Sequence, residues 1–112
     1  MPAILKGWMD RAFVMGATFG GEYGIFEQGA MRGKKAMLLL TTGGAEAAFA
    51  LDAVGYGALD TFLFHIHRGM LEFCGYEVLL PAVTYGPVRL DDQARSDALE
   101  AASHRVTAAL NP

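Results

Sequence analysis

The chain has 112 residues, of which 53% are hydrophobic and 19% are charged, and its net charge is −3. This length predicts a single domain over residues 1–112 with a hydrophobic core, and this composition argues against disorder. A negative chain whose basic residues cluster only at Lys34 and Lys35 is not expected to bind nucleic acid.

The compartment is predicted from what the sequence lacks. No apolar run approaches the roughly 20 residues of a membrane span, and the first residues do not resemble a signal peptide. Cys74 is the single cysteine, which excludes an internal disulfide, and its apolar surroundings predict a buried side chain rather than a nucleophile. We therefore expect no membrane span and a cytoplasmic location.

The chain begins with a predicted helix over residues 2–14. Proline is favourable in a first helical turn, where an N–H would have no intrahelical acceptor. Apolar residues recur at helical spacing. The resulting stripe comprises Ile4, Leu5, Trp8, Met9, Ala12 and Phe13.

Residues 16–33 are rich in glycine and aromatic residues and follow neither a helical nor a strand period. A loop of this length without secondary structure is uncommon and is often functional. Two interpretations remain open. The loop either forms a mobile wall over a flat ligand or a subunit contact, or it packs Phe19, Tyr23 and Phe26 into the local core.

We expect the fold to be organised around residues 34–44, with the sequence KKAMLLLTTGG. The apolar run is too short for a buried helix, so it predicts a strand covered on both faces. Gly43 and Gly44 would end this strand, because glycine tolerates positive φ and lets another molecule approach the backbone. Ligands bind at the carboxyl ends of strands in open α/β sheets. The TTGG turn (Thr41, Thr42, Gly43 and Gly44) is therefore the candidate site, although a simple turn out of the strand is the alternative.

A second helix is predicted over residues 59–74, where Asp60 would cap its start and Gly75 would end it. His65 and His67 lie two residues apart on this helix. Their side chains would point about 200° apart and could not share a metal ion. No nearby cysteine or carboxylate completes a ligand set, so we expect no metal site.

A strand over residues 77–85 and a helix that Asp91 would cap, and that runs to about Leu110, complete the chain. Pro81 removes a hydrogen-bond donor from the ladder, which places this strand at the edge of a sheet. Strands separated by helices predict parallel pairing and an α/β fold. With one neighbour only, the first strand keeps an unpaired edge that is open to another chain. The predicted inner stripe of the last helix comprises Leu99, Ala102, Val106 and Leu110.

Several short motifs follow one another along the whole chain. They are Pro2-Ala3-Ile4-Leu5-Lys6-Gly7-Trp8, Asp10-Arg11, Lys34-Lys35-Ala36, Thr41-Thr42-Gly43-Gly44, Gly69, Phe73-Cys74-Gly75-Tyr76, Pro81 and Thr84-Tyr85. In order and distance this series resembles the NAD(P)H:quinone oxidoreductases of the flavodoxin-like fold, the DT-diaphorase group.

The resemblance implies a partial flavodoxin-like fold, a three-layer α/β/α arrangement with a short parallel sheet. Members of that family begin with three strands and a phosphate-binding loop, and the helix that matches residues 2–14 follows the third strand. This chain would hold strands 4 and 5 of a sheet with the order 2-1-3-4-5. Oligomerisation or a preceding half would complete it.

The resemblance also implies a flavin site. The TTGG turn would offer backbone and hydroxyl hydrogen bonds to the polar edge of the isoalloxazine ring. Phe49 matches a tyrosine near the flavin in the mammalian enzymes. Arg95 matches an arginine near the adenosine end of FAD, and partner-subunit aromatics that wall the quinone site match Phe19 and Tyr23.

Tyr56 is the candidate catalytic residue on the same resemblance, because it falls at or beside a histidine or asparagine of the family. A phenol with an ordinary pKa near 10 can donate a hydrogen bond to a reduced flavin but is a poor base at neutral pH. Phe49 has no proton to donate. The residues that match the family do not include its phosphate-binding loop, whose backbone N–H groups would bind an anion.

Three functional hypotheses follow. The first is a two-electron NAD(P)H:quinone-type oxidoreductase with FAD, or alternatively FMN, acting on a small-molecule quinone as a homodimer or with a partner chain that completes the sheet. The second is a non-catalytic, oligomerising or flavin-binding remnant of that fold. The third is an incomplete reading frame of a longer enzyme, which the sequence upstream of Met1 would settle.

Overall fold

The computed structural model describes residues 1–50 and 55–111. The chain divides into two compact units, and each is described by itself. The first unit combines Met1–Ala36 with Leu63–Val78, and the second combines Met37–Phe62 with Leu79–Pro112. Among the described residues, no helix is both long enough and apolar enough to cross a membrane.

Within the residues that the structure describes, each unit contains one pair of parallel strands. In the first unit β1 (Lys35–Ala36) pairs with β3 (Glu77–Val78). In the second unit β2 (Leu39–Thr42) pairs with β4 (Ala82–Tyr85), in a register that places Thr42 opposite Tyr85. The predicted parallel α/β pairing is therefore confirmed.

The predicted unbroken strand, covered on both faces, is wrong in two respects. Met37 and Leu38 separate β1 from β2. Exposure then alternates along β2, and Leu39 is 55% exposed. Successive side chains of a strand point to opposite faces, so a pair of strands packed on one side leaves every second side chain in solvent.

The second predicted strand is interrupted as well. Leu79, Leu80 and Pro81 lie between β3 and β4, which is one residue more than the break in the first strand. Pro81, which has no N–H to donate, thus lies outside the paired segments. Arg105 donates hydrogen bonds from its guanidinium to the carbonyl oxygens of Leu80 and Pro81, at 2.7 and 3.2 Å.

The first unit contains most of the buried side chains. Met9 of α1 (Ala3–Ala12) is buried, but the apolar stripe of this helix is incompletely covered, since Ile4 is 87% exposed. Cys74 is 1% exposed, which confirms the prediction of a buried cysteine. The buried hydrophobic side chains of this unit are Met9, Leu63, Leu71 and Cys74.

The glycine-rich loop contains one short 3₁₀ turn, Phe26–Gln28. The rings of Phe19 and Phe26 meet Phe73 edge to face, with centroids 4.9 and 5.4 Å apart. Phe26 has a positive φ of 53°, and the Arg68 guanidinium lies 3.8 Å from its ring centroid. These contacts support the interpretation in which the loop packs into its local core, whereas Tyr23 is exposed.

The helix predicted over residues 59–74 has the expected ends but is not one α-helix. It begins as α2 (Leu59–Ile66), widens to a π turn (His67–Leu71) and ends as a 3₁₀ turn (Glu72–Cys74). Gly75 stops it with a φ of 101°, as predicted. Asp60 lies inside the first turn of α2, so the prediction that it caps the helix is wrong.

The last helix, α3 (Asp92–Leu110), begins at the predicted cap, because Asp91 Oδ1 accepts a hydrogen bond of 2.8 Å from the Ala94 N–H. The predicted inner stripe is correct for Ala102 and Val106, which are half-buried, and wrong for its two leucines. Leu99 and Leu110 are 74% and 75% exposed. The stripe instead follows a spacing of four residues, which keeps side chains on one face of a helix. Its half-buried members are Ala94, Ala98, Ala102 and Val106.

Candidate functional site

Three consecutive carbonyl groups, beginning with that of the last residue of β2, all accept hydrogen bonds from within the second unit. The Gly86 N–H donates to the Thr42 carbonyl at 2.7 Å. Arg89 Nη1 donates to the Gly43 carbonyl at 2.9 Å. The Thr42 hydroxyl donates to the Gly44 carbonyl at 2.8 Å. The backbone of the TTGG turn is thereby fixed at three consecutive peptide groups.

These bonds orient the N–H groups of the same peptides. In a trans peptide the C=O and the next N–H point in opposite directions, and the structure has no cis peptide among its described residues. The N–H groups of Gly43, Gly44 and Ala45 therefore point away from the groups that hold the carbonyls. Within the described part of the chain, none of the three has a hydrogen-bond acceptor. These three consecutive N–H groups, here called the donor row, are suited to hydrogen bonding with an oxygen-rich or anionic edge of a ligand.

The two glycines of the turn have different surroundings. Neither has a positive φ, so the expectation that this turn needs glycine for that conformation is wrong. A Cβ on Gly44 would lie 2.7 Å from Tyr56 Cε2 and 3.1 Å from Phe49 Cε2, so close ring packing requires glycine here. A Cβ on Gly43 would meet nothing within 4 Å, and another molecule can approach its backbone there.

Aromatic rings cluster beside Gly44. The Phe49 ring lies 5.3 Å from Tyr56, 5.8 Å from Tyr85 and 6.1 Å from Phe62, measured between centroids. A 3₁₀ turn, Glu46–Phe49, carries Phe49, and the Tyr56 N–H donates to the Ala48 carbonyl at 2.9 Å. Tyr56 is 60% exposed, so its ring offers an accessible flat surface beside the donor row. The structure thus brings Phe49 and Tyr56 to the TTGG turn.

Arg95 holds a different part of the same unit. Its guanidinium donates to the carbonyls of Pro87 and Val88 at 3.1 and 3.4 Å, and it pairs with Asp92 at 3.3 Å. None of these partners belongs to the TTGG turn. Arg95 therefore stabilises the segment that follows β4, and its assignment to the adenosine end of FAD stays a prediction.

Phe19 and Tyr23 belong to the first unit, and the TTGG turn belongs to the second. Phe19 packs against Phe73, whereas Tyr23 is exposed and accessible to a ligand. Among residues 1–50 and 55–111, no three His, Cys, Asp or Glu side chains are grouped so that they could hold a metal ion. The role of the two aromatics in binding a quinone stays a prediction.

Sequence reasoning missed Arg89 and Tyr85. A signal for both was available, because β2 and β4 are parallel and their carboxyl ends lie at the same edge of their sheet. The residues that follow Tyr85 therefore meet those that follow Thr42. The sequence Gly86-Pro87 predicts a turn there, and Arg89 comes directly after it.

The family model and the curated relatives indicate one family. A family model described as "Flavodoxin-like fold" matches residues 1–109. NAD(P)H dehydrogenase [quinone] 1 of Cavia porcellus is 39% identical over 100 residues, which cover 88% of this chain and 35% of the relative. Ribosyldihydronicotinamide dehydrogenase [quinone] of Pongo abelii is 37% identical over 106 residues, which cover 95% of this chain and 45% of the relative.

A solved structure supports the same assignment. A Klebsiella pneumoniae protein, provisionally described as a quinone reductase, superposes with a TM-score of 0.80 and 33% identity, over 96% of this chain and 44% of that one. The chain thus spans less than half the length of these relatives, and the match lies in their C-terminal part. The resemblance to NAD(P)H:quinone oxidoreductases, and its restriction to that part, are confirmed.

Proposed function

Since the chain belongs to the family of the flavodoxin-like fold, we propose that it carries part of the flavin site of a two-electron NAD(P)H:quinone oxidoreductase. The observation that carries this proposal is the donor row of the TTGG turn. Three backbone N–H groups without acceptors among the described residues lie beside open space at Gly43 and an exposed aromatic ring. A flat ring with an oxygen-bearing edge fits this arrangement, and the flavin of FAD, or alternatively FMN, has that shape.

A bound flavin would supply the hydride chemistry, taking two electrons from NAD(P)H and passing them to the quinone, while the protein positions it. The N–H groups of Gly43, Gly44 and Ala45 would bind the polar edge of the ring. The Thr42 hydroxyl hydrogen is donated to the Gly44 carbonyl, so this side chain orients the donors instead of donating to the ligand. Thr41 is exposed at the end of β2, with a hydroxyl that can face a ligand.

Tyr56 is proposed as the catalytic residue because its phenol is exposed beside the donor row. It would donate a hydrogen bond to the ring, whereas the neighbouring Phe49 would pack against it without a proton to give. Arg95 would contribute to the adenosine end of FAD, and Phe19 and Tyr23 would line the quinone site of a partner subunit. We place the protein in the cytoplasm as one domain over residues 1–112.

A homodimer or a partner chain would complete the sheet and the rest of the flavin site. This part of the proposal is supported by apolar side chains in solvent in both units, namely Ile4 in the first and Leu39 in the second. The same observation favours a second candidate function, a non-catalytic assembly module. Sedimentation tests the assembly module, because a monodisperse monomer without a partner contradicts it.

The test of the proposed function is direct. The purified protein is titrated with FAD and with FMN and examined for a bound flavin spectrum, and then NAD(P)H oxidation is followed with and without a quinone. We expect binding of one of the two flavins and quinone-dependent NAD(P)H oxidation. A protein that stays colourless after addition of both flavins contradicts the proposal, and flavin binding without oxidation favours the remnant.

A further inference from the structure

Arg89 reaches the TTGG turn from the segment that follows β4. Gly86 adopts a φ of 55° and begins a 3₁₀ turn, Pro87–Arg89, which the Arg89 N–H closes on the Gly86 carbonyl at 2.9 Å. This turn brings the arginine side chain back over Gly86. A Cβ on Gly86 would overlap the guanidinium, so glycine at this position makes the path of Arg89 possible.

The Arg89 guanidinium donates a hydrogen bond of 2.9 Å to the Gly43 carbonyl, the middle one of the three carbonyls of the turn. The Gly43 carbonyl and the Gly44 N–H belong to one peptide plane. A charged donor on the carbonyl therefore fixes where that N–H points, and it polarises the peptide so that the N–H is a stronger donor. The two flanking carbonyls are held by neutral groups, the Gly86 N–H and the Thr42 hydroxyl.

Arg89 is itself held in place by its neighbours. Arg95, on the first turns of α3, donates to the carbonyls of Pro87 and Val88, which are the two residues before Arg89. Asp91 fixes the start of α3 through the Ala94 N–H. Hydrogen bonds from the start of α3 thus hold the backbone of the segment that carries Arg89.

We propose that Arg89 is a positioning residue, which sets the orientation and donor strength of the Gly44 N–H toward the bound flavin. This inference rests on the proposed function and adds to it a group that acts through the backbone. The guanidinium also places a positive charge on the carbonyl side of this peptide, whose N–H would bind the ring. Positive charge near the flavin favours its reduced form, which carries more negative charge.

The first measurement needs no flavin. In the free protein, Arg89→Ala should shift the Gly43 and Gly44 amide signals in a ¹H–¹⁵N spectrum, because their peptide loses its charged partner. Arg105→Ala is the matched control, since Arg105 makes the same kind of carbonyl contact in the same unit, at Leu80 and Pro81. Unchanged signals from the turn in Arg89→Ala would overturn the proposal.

The second measurement is flavin affinity. We expect Arg89→Ala to weaken oxidised flavin binding about tenfold, which is the effect of one charge-assisted hydrogen bond. Arg89→Lys should restore most of the affinity, because a lysine ammonium can still donate to the carbonyl, and Arg105→Ala should leave it unchanged. Equal losses in Arg89→Ala and Arg105→Ala would overturn the proposal, because net charge alone would then explain them.

The third measurement is the midpoint potential of the bound flavin. If Arg89→Ala weakens binding of the reduced flavin about tenfold more than binding of the oxidised flavin, the midpoint potential falls by about 30 mV for a two-electron couple. An unchanged potential together with unchanged affinity contradicts the role. If the unaltered protein binds no flavin, the proposed function fails, and the amide signals still decide whether Arg89 holds the turn.

Discussion

Gly43 and Gly44 are neighbours in the chain with different surroundings. The sequence predicted that both glycines serve backbone freedom or the approach of a ligand. Two adjacent glycines have the same chemistry, so the sequence alone could not assign different reasons to them. In the structure, a Cβ on Gly44 would collide with the ring of Tyr56, whereas the space around Gly43 is open to a ligand.

Gly29 and Gly7 form a matched pair for single-residue substitution in the first unit. A Cβ on Gly29 would overlap the backbone carbonyl of Cys74, which cannot move aside as a side chain can. We expect Gly29→Ala to lower the free energy of unfolding by about 2–3 kcal/mol. A Cβ on Gly7, inside α1, meets nothing within 4 Å. Gly7→Ala should therefore raise the free energy of unfolding by about 0.5–1 kcal/mol.

Urea unfolding followed by circular dichroism measures both changes. Both variants add the same methyl group. A fall in the free energy of unfolding of Gly29→Ala therefore reports on packing, and a rise in that of Gly7→Ala reports on helix propensity. Equal stability of Gly29→Ala and the unaltered protein would contradict the close packing of the glycine-rich loop against Cys74.

Helix ends were predicted better than helix interiors and strand continuity. Gly75 and Asp91 act at the positions predicted, because a stop or a cap depends on local chemistry. The π turn at His67–Leu71 and the breaks in both strands were not predicted. Apolar spacing is nearly the same for an α-helix and a slightly widened one, and an apolar run does not reveal where strand pairing stops.

The cap of α3 gives a prediction for an element. Asp91 Oδ1 accepts the Ala94 N–H at 2.8 Å, and alanine has no oxygen with which to do so. We expect Asp91→Ala to lower the free energy of unfolding by about 1 kcal/mol. Asp91→Asn is the control, because asparagine caps helices about as well as aspartate.

Thermal unfolding followed by circular dichroism compares the two variants of Asp91. If Asp91→Asn is as destabilised as Asp91→Ala, the loss arises from charge near the helix start and the cap accounts for little of it.

For the whole molecule, the sequence predicted the fold family and the parallel pairing, because motifs and strand order depend on local patterns. It did not predict the Arg89 contact with Gly43, which joins residues 46 positions apart. A contact between residues so far apart can be predicted only once the register of β2 and β4 is known. Apolar side chains such as Ile4 and Leu39, which lie in solvent, are in line with a site that a second copy or partner chain completes.

The most direct test of the proposed flavin site is a flavin titration of Gly43→Ala beside the unaltered protein. Because nothing lies within 4 Å of the added Cβ, the free energy of unfolding should stay within about 0.5 kcal/mol of the original. A ring seated on the turn would meet the new methyl group, so flavin affinity should fall about tenfold or more. Unaltered flavin affinity in Gly43→Ala would contradict the account, because the turn would then lie away from the bound ring.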